Sequence, residues 1–97
     1  MPDIRVADNP PEHRYEIFLD NKLAGFVTYS LVPPTITLIH TEIDPAFEGH
    51  GLGSRLAHDL LTDLEARGLD IKIRCPFLWR YVREHPEWLD KVSRAAP

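Results

Sequence analysis

Among the residue types in this 97-residue sequence, four features can do chemistry: one cysteine, a mid-chain histidine, a tyrosine and a run of glycines. Cys75, the sole cysteine, precedes Pro76 and a helical pattern. It can serve as a nucleophile or pack as a small buried hydrophobe. His40 lies within "TITLIHTEI", and simple alternation puts it on the face of Ile36 and Leu38. It reads as a general base or as a hydrogen-bonded core residue. Tyr81 follows Phe77 by four, the spacing of a packed helical stripe. Gly49, Gly51 and Gly53 in "FEGHGLGSRL" run directly into a leucine-rich segment. Glycine is costly to order, so three in five positions imply positive φ or the close approach of another group. The loop either cradles an anionic ligand or only turns a corner. No metal-ligand spacing joins the five histidines and the cysteine, so no metal site is expected.

The elements that would position these residues follow from periodicity. "HRYEIFLD" (13–20) and "KLAGFVTYS" (22–30) are rich in aromatic and β-branched residues. They meet at Asp20-Asn21, which tolerates left-handed geometry, so a hairpin is predicted. "VPP" at 32–34 interrupts, and 35–43 forms a third strand with both faces covered. From Leu52 to Arg67 the residues Leu52, Leu56, Ala57, Leu60, Leu61 and Leu64 fall on one helical arc. Gly68 ends that helix. "DIKIRC" (70–75) alternates as a short strand. Pro76 opens a helix over 76–85, and Pro86 opens a further short helical piece over 86–94. Residues 1–12, with three prolines, read as a loose lead-in, and residues 13–97 as one domain. The order is β-β-β-α-β-α, an α+β (α/β-like) fold with an open mixed sheet and a right-handed βαβ unit.

Composition narrows the function classes. The net charge of −4 and the absence of a Lys/Arg block argue against nucleic acid as a partner. No apolar run approaches the roughly 20 residues of a membrane span. The N-terminus lacks the basic and apolar regions of a signal peptide, so a cytoplasmic protein is expected.

The glycine loop fails two phosphate-binding patterns. A P-loop needs a lysine before Ser54, and none is there. A dinucleotide fingerprint needs a third glycine where Ser54 stands, and a larger domain. "IDPAFEGHGLGSRL" instead resembles the acyl-CoA-binding signature of the GNAT superfamily of N-acetyltransferases. Ile43, Pro45, Gly49, Gly51, Leu52 and Gly53 match in order and spacing. "HTEIDP" before the loop and "CPF…Y…HPEW" after the helix resemble a small stand-alone branch of that superfamily, which lacks the N-terminal helices of larger members. The chain departs from the signature at Glu48, where arginine or glutamine is usual.

The resemblance implies acetyl-CoA as co-substrate. Its diphosphate would lie on backbone N–H groups of Glu48, Gly49, His50, Gly51, Leu52, Gly53 and Ser54. Its pantetheine arm would lie along the strand edge that includes Glu42 and Ile43. Cys75, His40 and Tyr81 would be the candidate catalytic residues: acetyl acceptor or thiol neighbour, base, and proton donor. The implied activity is acetyl transfer to an amine, with a small amine or a protein or peptide amine as acceptor. Two rival readings stand beside it: a CoA-binding module with little turnover, and a structural or interaction domain.

Overall fold

The computed structural model describes residues 3–95. Six strands form one sheet in chain order: β1 (Ile4–Asn9), β2 (Arg14–Leu19), β3 (Lys22–Val32), β4 (Thr35–Ile43), β5 (Asp70–Ile73) and β6 (Val92–Arg94). The first three pairings are antiparallel, and β4–β5 and β5–β6 are parallel. Helix α1 (Leu52–Ala66) crosses from β4 to β5, and α2 (Pro76–Glu84) follows β5. This is the mixed open α/β sheet that the periodicity predicts. No helix among the described residues is long and apolar enough to cross a membrane.

The β2–β3 hairpin turns on Asp20 (φ 50°) and Asn21 (φ 68°), two short polar side chains that accept the left-handed region. In β4, Thr28 of β3 faces His40 and Tyr29 faces Leu38, so Ile39 is an extra, unpaired residue. One inserted residue exchanges the faces of everything beyond it. Ile36, Leu38 and Thr41 therefore share one face, opposite Leu31, Tyr29 and Val27, while His40 and Glu42 lie on the other. This corrects the placement of His40 beside Ile36 and Leu38: uninterrupted alternation fails at a bulge.

Both helices pack on a single face of the sheet. α1 buries Leu52, Leu56, Ala57, Leu60, Leu61 and Leu64, and α2 buries Leu78, Tyr81 and Val82. Each fully buried leucine contributes about 2 kcal/mol of hydrophobic stabilisation. These side chains meet Ile17, Val27, Ile36, Leu38 and Ile73 of the sheet in one core. The opposite face carries no helix. There Arg5 lies over the Phe18 ring at 4.3 Å and Arg14 over Phe26 at 4.6 Å.

Two expectations for the chain ends are corrected. Within residues 1–12, Ile4–Asn9 is an edge strand rather than a loose segment. An edge strand needs only one half-buried face, and Ile4 and Val6 supply it between exposed or polar neighbours. Met1 and Pro2 lie outside the described residues. Within 86–94, only Pro86–Trp88 is helical, as a 3-10 turn, and Val92–Arg94 joins the sheet. Three residues are too few to show a period, and the pairing is fixed by the backbone: the Ala95 N–H donates to the Ile73 carbonyl at 2.8 Å.

A polar cluster ties β1, β2 and β3 to the end of α1. The Tyr15 hydroxyl donates to Asp63 at 2.5 Å and the Tyr29 hydroxyl to Asp8 at 2.7 Å. Arg67 donates to Asp8 and to the Tyr15 oxygen at 3.2 and 2.9 Å. Burial, and then the neighbouring carboxylates, hold both phenols well above the usual tyrosine range. The folded state thus holds these protons more tightly than the unfolded chain does. The stability they contribute is present below about pH 10, the unfolded value, and is lost as pH rises above it. Urea midpoints measured from pH 8 to 12 should fall above about pH 10, and Tyr15→Phe should flatten that fall. Gly25→Ala tests the sheet itself. An added Cβ would meet the Glu42 carbonyl oxygen and Ile43 Cδ1 at 2.5 Å each. Stability should drop by roughly 1–3 kcal/mol, read from the same midpoints.

Candidate active site

Beyond Leu38 the two central strands part. β4 pairs with β5 only over Thr35–Leu38 and Asp70–Ile73. The Leu38 carbonyl then accepts from both the Arg74 and Cys75 N–H groups, at 2.9 and 3.2 Å. Two donors on one acceptor end the ladder, and Pro76 directs the chain into α2. Among the described residues, no strand pairs with Ile39–Ile43 on this side. Side chains span the start of the gap: Thr41 Oγ1 lies 3.2 Å from Cys75 Sγ, and Cys75 is 3% exposed. The bulge at Ile39 is what turns Thr41 toward Cys75.

The loop after β4 delivers the chain to the same place. Asp44 accepts from the Ala46 N–H at 2.9 Å and starts a 3-10 turn over Pro45–Phe47. Gly49 and Gly51 then adopt φ of 88° and 69°, with open space where a Cβ would stand. Gly51 is the N-cap of α1 and provides no side-chain cap. The N–H groups of Leu52, Gly53 and Ser54, in the first turn, have no intrahelical acceptor. Together with the helix dipole they offer an anion several donors and about half a positive charge.

Gly53 has a different task. A Cβ there would lie 2.8 Å from Phe77 Cζ, so the glycine admits the Phe77 ring against α1. This contact sets the first turn of α2 against the first turn of α1. α1 leads from β4 back to the parallel β5, and α2 from β5 back towards the parallel β6, so the two helices run in the same sense. The N-cap residues Gly51 and Cys75 therefore sit at the same end of the sheet, the end where β4 and β5 part.

The candidate residues divide into three groups. Glu48, Gly49, His50, Gly51 and Ser54 are exposed on the loop, Gly53 is half-buried and Leu52 is buried. Glu42 and Ile43 lie at the end of β4, with Glu42 exposed and Ile43 half-buried. Cys75 and Thr41 meet inside the gap. His40 is exposed on the helix-free face, 3.7 Å from a Glu42 carboxylate oxygen, and so lies across the sheet from Cys75. Tyr81 is buried on α2, stacked on His85 with ring centroids 3.9 Å apart. Burial, then the charges of Glu87 and Asp59, raise its phenol above the ordinary range. Among the described residues, no side-chain hydrogen bond joins it to Thr41 or Cys75. Arg55 is held by Asp59 at 2.9 Å. Sequence reasoning missed Thr41 and the double role of the Leu38 carbonyl. The placement of Thr41 depends on the bulge, for which the sequence carries no glycine or proline as a marker.

A mixed sheet that parts between its fourth and fifth strands, beside an uncapped glycine-led helix, defines an acyltransferase fold of the GNAT type. The chain belongs to the GCN5-related N-acetyltransferase family, whose sequence model, described as "GCN5-related N-acetyl-transferase", matches residues 14–92. It is similar to Protein NATD1 of Xenopus tropicalis, at 33% identity over 61 residues, covering 61% of this chain and 56% of that protein. It is also similar to the [ribosomal protein bS18]-alanine N-acetyltransferase of Salmonella typhimurium, at 36% identity over 50 residues. That match covers 52% of this chain and 34% of the enzyme. The chain thus spans about half, or less, of the length of these curated relatives. Acetyl transfer is the chemistry of the family, with acetyl-CoA as co-substrate.

The separate tasks of the glycines can be measured. Gly51→Ala meets no neighbour but must hold a positive φ, which should cost about 1–2 kcal/mol. Gly51→Asn should recover part of that loss, because asparagine tolerates the left-handed region. Equal urea midpoints for the alanine variant and wild type would contradict the loop geometry.

Proposed function

We propose that the protein is an acetyl-CoA-dependent N-acetyltransferase that acts on a primary amine. The observation that carries this reading is the continuity of the open β4 edge, Ile39–Ile43, with the uncapped start of α1. An extended pantetheine arm can add to that edge as a strand would, with Glu42 and Ile43 contributing backbone groups. The Gly49–Ser54 backbone receives the diphosphate, and the open space beside Gly49 and Gly51 leaves room for it.

In this reading a β4 amide polarises the thioester carbonyl and stabilises the oxyanion that develops. His40, on the far side of the gap, takes a proton from the ammonium form of the amine, directly or through water. The amine nitrogen attacks, a C–N bond forms, and the tetrahedral intermediate expels the thiolate as the C–S bond breaks. The second amine proton goes to the departing sulfur. Cys75 lines the gap beside Thr41, where it shields the thioester from water or takes the acetyl group before the amine does. The buried stacking of Tyr81 supports a packing role. One observation favours a binding module with slow turnover instead: the exposed carboxylate of Glu48 beside the diphosphate site.

Thermal unfolding with and without acetyl-CoA tests the reading. Ligand at about 100 times its dissociation constant should add roughly 2.7 kcal/mol, and raise the melting point by several degrees or more. Gly51→Trp should remain folded and lose the shift. The absence of any shift at millimolar acetyl-CoA would overturn both the enzyme and the binding-module readings. A shift without acetylation of any amine would leave the module.

A further inference from the structure

A cavity of about 340 Å³ opens where β3 begins and β4 ends, between the hairpin and the loop that leads to α1. Its apolar wall includes Leu23, Phe26, Ile43 and Pro45, and the backbone of Ala24 and Gly25 completes it. Two acidic residues line it, Glu42 and Asp44, and no lysine or arginine does. Among the described residues, Glu42 has only the exposed His40 as an ionic neighbour, at 3.7 Å. Asp44 uses one carboxylate oxygen to cap the 3-10 turn, and the other makes no hydrogen bond among the described residues. The Arg14 guanidinium stacks on Phe26 at 4.6 Å and is paired with Glu16 at 2.8 Å.

A crevice with apolar walls, one aromatic ring and two uncompensated carboxylates suits a ligand that is cationic at one end and hydrocarbon at the other. Its position gives that ligand a use. Glu42 belongs both to this cavity and to the unpaired stretch of β4, and the neighbouring residue Thr41 touches Cys75 across the gap. An ammonium group at Glu42 would also lie beside His40.

We propose that this cavity is the acceptor subsite, and that it takes a small primary amine bearing an apolar body, held by the carboxylates of Glu42 and Asp44. Its use as an acceptor subsite rests on the acetyl-transfer reading above; the binding itself does not. Glu42 thereby serves the acceptor with its side chain, while its backbone remains available to the strand edge. The hydrocarbon part would rest on Leu23, Phe26 and Pro45, and the size of the cavity favours a small molecule over a folded protein surface.

The test separates the two ideas. Amide chemical shifts of the wild-type protein are followed as n-hexylamine, at neutral pH, or the uncharged 1-hexanol is added. Hexylamine should shift the Gly25, Phe26, Glu42 and Ile43 resonances saturably, and hexanol should bind at least about tenfold more weakly. The Glu42→Gln/Asp44→Asn double variant should lose about tenfold in hexylamine affinity, as two part-exposed ion pairs predict. The Asp44→Asn single variant, outside the co-substrate edge and still able to cap the Ala46 N–H, should retain the melting-point response to acetyl-CoA. Equal responses to amine and alcohol, shifts that map elsewhere, or an unchanged affinity in the double variant would overturn the subsite. Amine binding at these residues without any acetyl-CoA response would support the subsite as a binding site and overturn the acetyl-transfer reading instead.

Discussion

The Leu38 carbonyl is the point on which the rest of the site depends. It accepts from both Arg74 and Cys75, so the parallel ladder between β4 and β5 ends there. A regular ladder would have continued to Ile43 and left no edge for a ligand. Ending it has an energetic consequence, because unpaired backbone groups inside a protein cost as much as lost hydrogen bonds. The opening is sustainable because Ile39–Ile43 lies at one end of the sheet, where a ligand or water can reach the free groups. The bulge at Ile39 acts one residue later. It turns Thr41 toward Cys75 and sends His40 to the opposite face.

The same end of the sheet gathers two helix starts. Neither has a side-chain cap: Gly51 cannot supply one, and Cys75 does not. Replacing Gly51 by serine or aspartate would suit a helix judged on its own. It would also place a side chain where the loop now leaves backbone N–H groups open. Local helix stability is set aside here in favour of access, while the α1 leucines supply through packing what the cap does not. Gly53 and Phe77 make the arrangement specific. A ring seated on a glycine fixes how closely the helices approach, and therefore where Cys75 lies relative to the loop.

Much of this was legible in the sequence. The hairpin, the third strand, the leucine arc of α1 and the start of α2 at Pro76 follow from alternation, helical period and turn chemistry, because each spans enough residues to show its pattern. The turn geometry of the glycine loop was legible from its composition, since Gly49 and Gly51 adopt the positive φ that three glycines in five positions imply. What escaped was short or irregular. β6 has three residues, and β1 hides Ile4 and Val6 among charged neighbours. The face of His40 was misread because a bulge formed by an isoleucine leaves no compositional trace. The Thr41–Cys75 contact escaped for the same reason.

The two faces of the sheet differ in kind, and that difference gives the gap a direction. One face is an apolar core under both helices, and the anion-accepting start of α1 lies on that side. The other face is helix-free and polar, with His40 and Glu42 at the edge of the gap and arginines stacked on Phe18 and Phe26. A diphosphate would be repelled by Glu42 and Asp44, whereas the first turn of α1 carries no carboxylate and only Glu48 precedes it on the glycine loop. In the proposed reading, an anionic co-substrate and a cationic acceptor are drawn to opposite sides of one opening and meet where β4 is unpaired. In that reading, charge sorting across a split sheet does part of what additional helices would do by shape in a larger domain.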